Sequence, residues 1–399
     1  MRRALGTRCW ERREPTVQRA APGVTERLRE GDRRNHVRPL TALRFLAAIW
    51  VLLHHALPRG VPGSFTDALG ASGWLGVSLF FVLSGFLLTI RYAPEGVLRG
   101  TRRGFWLERV ARLAPTYALS LVFAAALFAR DARVEQFTGG RIAGIMASVL
   151  TVQQAWRPET ACSWNCPAWS LSVEFWFYLS FPFLVAATGA WMMRGNRVPR
   201  GFALLVIALA AAAIVFPGLE WVGADWRLPV YSLSPLARWP EFLAGIGLAA
   251  MVGGWAPETR RPGLALLAAG VAWIVGTVAL RAPLLAAQLH LLPVALPGFV
   301  LVIAGCWALR TRAVPLLGSA TLVLLGESSY ALYLFHAPLH GYLLAITNRL
   351  VGRGYDGSWA LFAFYAALAI GLSVLIHRRF EVPWRGRMRR WLGLAAPRT

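Results

Sequence analysis

The 399-residue chain contains no lysine; all 42 of its basic residues are arginine. That excludes a lysine Schiff base and a lysine nucleophile. Acids are scarce too, 19 of them, which leaves a formal net charge of +23. Cysteine is confined to Cys9, Cys162, Cys166 and Cys306, and neither these nor the seven histidines follow a metal-ligand spacing. No metal site is expected. A cleavable signal is missing as well, because the first 38 residues are arginine-rich and hold no apolar core segment.

What is abundant is apolar. Hydrophobic residues make up 56% of the chain, with 18 Trp. This is the composition of a polytopic membrane protein. In a soluble protein a charge of +23 would suggest nucleic acid. Here the arginines lie in tails and loops between apolar runs, the positive-inside pattern, so the expected partner is the lipid bilayer and no nucleic acid is expected.

The apolar runs predict an all-α transmembrane helical bundle of about ten spans plus one partial segment, with both termini cytoplasmic, in the inner (plasma) membrane. The spans fall near 40–57, 72–92, 113–130, 170–190, 201–217, 236–254, 262–281, 290–309, 322–346 and 359–377. The stretch 141–156 is apolar but short. If it crossed fully, the loop with Arg194, Arg197 and Arg200 would fall outside; as a partial segment it leaves that loop inside, and every later loop then obeys the arginine rule. Residues 1–38 read as a disordered basic cytoplasmic tail, 39–380 as the membrane domain, and 381–399 as a second basic tail. The loop 157–169 then faces outward, where Cys162 and Cys166 form either a disulfide or two free thiols.

The first span, Leu40 to Leu57, organises the rest. It carries Arg44 near one end and His54-His55 near the other. A charge at membrane depth costs about 2.5–3.5 kcal/mol on insertion scales, so its default reading is functional. Arg44 and His55 are eleven positions apart, close to three helical turns, which puts both on one face about 16 Å apart. His54 points elsewhere, and His55 is the preferred candidate.

Other polar intrusions follow. Glu174 and Tyr178 share a face in Trp169-Ser170-Leu171-Ser172-Val173-Glu174-Phe175-Trp176-Phe177-Tyr178. At matching depth, Glu174 would orient the His55 imidazole and raise its basicity; the bland reading is a structural pair between helices. Arg109 and Arg112 lie three residues apart on one helical face, either as a phosphate clamp or as positive-inside markers. Tyr333 and His336 share a face near the end of the chain, where a packing histidine is the plainer reading. Glu241 follows Arg238 by three residues, and their pairing is the expected explanation. Ser84 sits in a small-residue stretch, Gly76 to Phe86, suited to close helix approach.

Five segments together resemble the membrane-bound acyltransferase family 3. They are Arg44 to His55, Gly76 to Phe86, Arg109 to Tyr117, Trp169 to Tyr178 and Ser329 to His336, covering about residues 38–380. The resemblance implies transfer of an acyl group, commonly acetyl, from cytoplasmic acyl-CoA (acetyl-CoA first) to a hydroxyl of a carbohydrate or a glycosylated, macrolide-like metabolite. It implies catalytic roles for His55, Glu174 and Arg44, donor binding by Arg109, Arg112 and Arg44, and a substrate pocket with Ser84, Trp169, Tyr178, Tyr333 and His336. A covalent acyl-enzyme on His55 or a nearby tyrosine stays open. One departure is visible. Phe175-Trp176 replaces a usual second acid or polar residue, which predicts a more apolar pocket and points away from bare polysaccharide as acceptor. No soluble esterase-like domain is expected after the last span. The competing readings are a transporter or flippase, which inverted repeats would support but which no internal repeat between the halves suggests, and a membrane scaffold or receptor.

Overall fold

The computed structural model describes residues 38–58, 61–193, 195–221, 233–287, 289–311, 314–351 and 358–394. The first basic tail, Arg59, Arg194, Asp225, Arg227 and Arg312 lie outside them. Among the described residues the chain is helical, with no strand. The main helices are α1 (Arg38–Ala56), α2 (Leu75–Tyr92), α3 (Arg102–Val134), α4 (Gly139–Leu150), α5 (Trp169–Met193), α6 (Arg197–Trp221) and α7 (Trp239–Val252). There follow α8 (Arg261–Ala279), α9 (Leu291–Ala308), α10 (Ala320–Glu327), α11 (Ser329–Val351), α12 (Trp359–Ile376) and α13 (Val382–Trp391). Among the described residues, eight helical segments are long and apolar enough to cross a bilayer: α1, α2, α3, α5, α6, α8, α9 and the continuous α12–α13. The helix α7 is apolar but only 14 residues long.

Glycine decides how closely these helices approach. On α7, a Cβ at Gly245 would run into the carbonyl oxygen of Val82, and on α2 a Cβ at Gly85 would run into that of Phe242. The two backbones therefore touch, and α7 lies between α2 and α6. The antiparallel pair α8–α9 uses the same device, with Gly263 facing Gly305 and Gly270 facing Gly298.

The short apolar stretch forms a helix too short to cross on its own. At 12 residues, α4 is about 18 Å long against a hydrocarbon core of roughly 30 Å. Residues 151–168 then pack back onto the bundle through buried amides. Gln154 Nε2 donates to Ala168 O at 2.7 Å, and Asn165 Nδ2 donates to Ser120 Oγ at 3.2 Å and Leu334 O at 3.1 Å. Cys162 and Cys166, in this loop, are joined by a disulfide.

Two expectations change. The span expected at 322–346 is two helices, broken at the buried Ser328, whose hydroxyl donates to Leu324 O and Leu325 O. The break lets Gly326 lie against the Thr41 carbonyl of α1, where a Cβ would collide. The basic tail expected from residue 381 begins as helix. A π-helical turn, His377–Glu381, joins α12 to α13, and Arg389 of α13 pairs with Glu108 of α3. The unbroken run from Trp359 to Trp391 has 33 residues, about 50 Å, as does α3. Both exceed the hydrocarbon thickness, and their arginine-rich ends dock on each other.

The expected pair Arg238–Glu241 is present at 3.0 Å, with both side chains almost fully buried. Arg238 Nη1 also donates to Ser78 Oγ at 3.2 Å. Nearby, His290 caps α9, its Nδ1 accepting from the Leu292 N–H. The Leu292 N–H only donates, so the Nδ1 that meets it is bare.

Candidate active site

A cavity of about 900 Å³ opens between α1, α2, α3, α5, α9 and α11. Six arginines line it, Arg44, Arg91, Arg99, Arg109, Arg112 and Arg310, with Glu174 as the one lining carboxylate. Arg99 has its own partner, Glu95, at 2.9 Å. An excess of four positive charges remains. Arg91 and Arg99 are exposed at the mouth, whereas Arg109 is 6% exposed. Just outside the lining, Glu381 of the π-turn is within electrostatic reach of Arg44 and Arg112, and Arg385 of α13 within reach of Arg91, Arg109 and Arg112. These two offset each other.

The arginines are held by aromatic rings and backbone. Arg109 lies 4.9 Å from the Tyr92 ring centroid, 5.8 Å from Phe105 and 5.7 Å from Tyr178. One of its Nη groups donates to the Tyr92 hydroxyl, and its buried Nε has no partner among the described residues. Arg310 stacks on Trp307 at 4.0 Å and donates to the Trp255 and Trp307 carbonyls. Burial lowers the Arg310 pKa from its ordinary value. Guanidinium groups gathered without matching carboxylates are what a phosphate-bearing ligand requires.

Of the residues singled out from sequence, Arg44, Arg109, Arg112, Glu174, Ser84, Tyr178 and Tyr333 line this one cavity. Trp169 stands behind the lining, packed on Phe81 and 5.5 Å from the Arg238 guanidinium. His336 also stands behind it, its ring 6.0 Å from that of Tyr333. Sequence reasoning read Arg91, Arg99 and Arg310 as topology markers and gave Glu381 and Arg385 no role. Their only signal was the excess of arginine at successive helix ends.

The pairing expected between Glu174 and His55 is not formed. Glu174 accepts from the Tyr178 hydroxyl one turn along α5, and its charged neighbours are Arg44 and Arg112. His55 lies at the other end of α1, exposed to the surface, with its Nδ1 2.9 Å from Val51 O and 3.2 Å from His336 Nε2. His54 turns away, its Nδ1 2.9 Å from Gly70 O. The expected apolar replacement in the pocket is also absent. Phe175 is 40% exposed on the outside of α5, and Trp176 packs on Trp156 and Trp239. A helix turns its side chains by about 100° per residue, so the neighbours of an inward-facing Glu174 face away. Among the described residues no group of three or more His, Cys, Asp or Glu side chains is arranged to hold a metal ion.

The model of the family described as an acyltransferase domain matches residues 39–378. The chain belongs to acyltransferase family 3. Acyltransferase MdmB of Streptomyces mycarofaciens is 30% identical over 380 residues, covering 86% of this chain and 90% of that relative. Peptidoglycan O-acetyltransferase OatA of Listeria monocytogenes is 25% identical over 376 residues, covering 88% of this chain and 56% of that longer relative. No solved structure matches the chain. The protein is therefore a multi-pass membrane O-acyltransferase. The helix α13 and Glu381 lie beyond the family match, so their contribution to the charge around the cavity is not part of the matched segment.

Proposed function

We propose that this acyltransferase, in the plasma membrane, moves an acyl group, acetyl first, from acyl-CoA to a hydroxyl of a carbohydrate or a glycosylated, macrolide-like metabolite. The observation that carries the donor assignment is the excess of arginine around one cavity, open at the end where the positive-inside rule puts the cytoplasm. Arg109 and Arg112 hold the CoA phosphates. Arg44 lies one layer deeper, with Glu174 as its charged neighbour, and meets the donor arm. The names of the relatives support the acceptor class. MdmB is called an acyltransferase with no acceptor in its name, and OatA a peptidoglycan O-acetyltransferase, so the names favour a glycan-type acceptor alone.

His55 is the base. Its Nε2 takes the proton of the acceptor hydroxyl as that oxygen attacks the thioester carbonyl. The tetrahedral oxyanion collapses, the carbon–sulfur bond breaks, and the CoA thiolate recovers the proton from the imidazolium. Glu174 serves the arginines rather than the imidazole. The acceptor reaches His55 from the exposed side, opposite the cavity mouth.

The test is comparative mass spectrometry of glycans and metabolites from cells carrying the wild-type gene, no gene, or His55→Ala. A mass gain of one acyl unit, present with wild type alone, is expected. A well-folded His55→Ala protein that restores the full gain would overturn the base assignment.

A further inference from the structure

We propose that His336 is the positioning residue for His55: together with the Val51 carbonyl it fixes which ring nitrogen of His55 carries hydrogen, and it holds the bare Nε2 toward the acceptor side. The inference rests on the reading of His55 as the base, and it concerns a group that the cavity does not touch.

The hydrogen positions follow from the partners. His336 is 1% exposed, and its Nδ1 faces two backbone carbonyls, Tyr333 O at 2.8 Å and Leu332 O at 3.2 Å. Carbonyl oxygens only accept, so this Nδ1 carries the hydrogen and Nε2 of the neutral ring is a bare acceptor. That Nε2 is 3.2 Å from Nδ1 of His55, which also faces Val51 O at 2.9 Å. Both neighbours of the His55 Nδ1 are acceptors, so it too carries the hydrogen and donates to them. The remaining nitrogen of His55, Nε2, is left with its lone pair. One backbone constraint on α11 is thus transmitted through two imidazoles to the reacting atom.

The relay is held on every side. The Tyr365 hydroxyl of α12 donates to His336 O at 3.0 Å, tying α12 to this turn of α11. The His55 and His336 rings meet edge-on with centroids 4.9 Å apart. The titratable groups around His55 are His54 on its own helix and His336 and His340 on α11. Among the described residues no carboxylate lies within ion-pairing distance of it; the histidine in such contact is His377. A neutral acceptor performs the orienting half of a carboxylate's usual work without placing a second charge in the membrane.

The test reads the His55 ring directly, with no acceptor substrate needed. Purified full-length protein is treated with diethyl pyrocarbonate, which acylates a bare imidazole nitrogen, and modification of the His55 peptide is followed by mass spectrometry. His336→Phe removes one of the two acceptors and leaves Val51 O alone to hold the hydrogen on Nδ1, so the ring is less firmly oriented and modification of His55 slows measurably. His336→Gln restores the wild-type rate, because its amide oxygen can accept from the same N–H. Equal rates in all three proteins would overturn the proposal. Equal slowing in both variants would also overturn it, since packing rather than the acceptor would then be responsible. Once the acceptor is known, His336→Phe should lower kcat by about 10–100-fold with the KM for acetyl-CoA unchanged. Loss of transfer in His55→Ala tests the base reading separately, so the two failures are distinguishable.

Discussion

Replacing Arg109 separates donor binding from chemistry. The side chain is buried among three rings, spends one Nη group on the Tyr92 hydroxyl, and presents an Nε–H with no partner among the described residues. A donor phosphate placed there satisfies that N–H and meets the guanidinium charge. Hydrogen bonds to charged groups contribute about 1.5–3 kcal/mol, or roughly 10- to 150-fold in affinity. Arg109→Lys keeps the charge but loses the Nε–H and the planar fork, so CoA affinity should fall toward the lower end of that range. Arg109→Gln loses the charge as well and should reach the upper end. Binding of CoA to detergent-solubilised protein, measured by isothermal titration, needs no acceptor and reads the loss directly. Raising the salt concentration should weaken binding to the wild type more than to Arg109→Gln, because one screened charge is already gone. If both variants bind CoA within twofold of wild type, the phosphates do not sit at this arginine and the donor geometry fails.

Two further outcomes follow from the packing. Arg238→Met leaves Glu241 buried without its partner and should destabilise the protein by about 3–5 kcal/mol, whereas adding Glu241→Leu should recover most of that loss in thermal melts; additive losses would refute the pairing. Phe80 lines the cavity and meets the Tyr333 ring at 6.1 Å, so Phe80→Trp should leave CoA binding within twofold yet lower acyl transfer roughly tenfold or more. Unchanged transfer would show that the thioester does not pass this layer.

The helix positions were legible because a bilayer demands long apolar runs. The first span was expected at 40–57 and runs over Arg38–Ala56; the second was expected at 72–92 and runs over Leu75–Tyr92. Depth along a helix was legible for the same reason, and it put Arg44 and His55 at opposite ends of α1 correctly. Direction around a helix axis was less so. Depth compared between helices failed as well: Glu174 was assigned to His55 on matching depth, yet it lies with Arg44 in the cavity, at the other end of α1 from His55. The break at Ser328 is similar: the serine caps a helix only because Gly326 must reach the Thr41 carbonyl. The helix α13 was hidden for another reason. Its arginines look like a solvated tail until the Glu108 carboxylate of α3 is placed beside Arg389.

In the proposed reaction, the separation of the two clusters would let a charged donor serve an acceptor on the other side of a membrane. Moving CoA itself through the hydrocarbon would strip water from several phosphate charges, and even one charge is costly at that depth. In the proposed reaction the phosphates stay with the arginines near the mouth, and only the neutral pantetheine arm and its acyl group advance along α1. The remaining distance is about the 16 Å between Arg44 and His55. Phe80 and Tyr333 stand in that interval, and the Tyr333 hydroxyl is tied to Pro167 O at 2.9 Å, so the wall is anchored to the loop that carries the disulfide. Charge is thus confined to the end that can stabilise it, and the bond exchange to the end that the hydroxyl can reach.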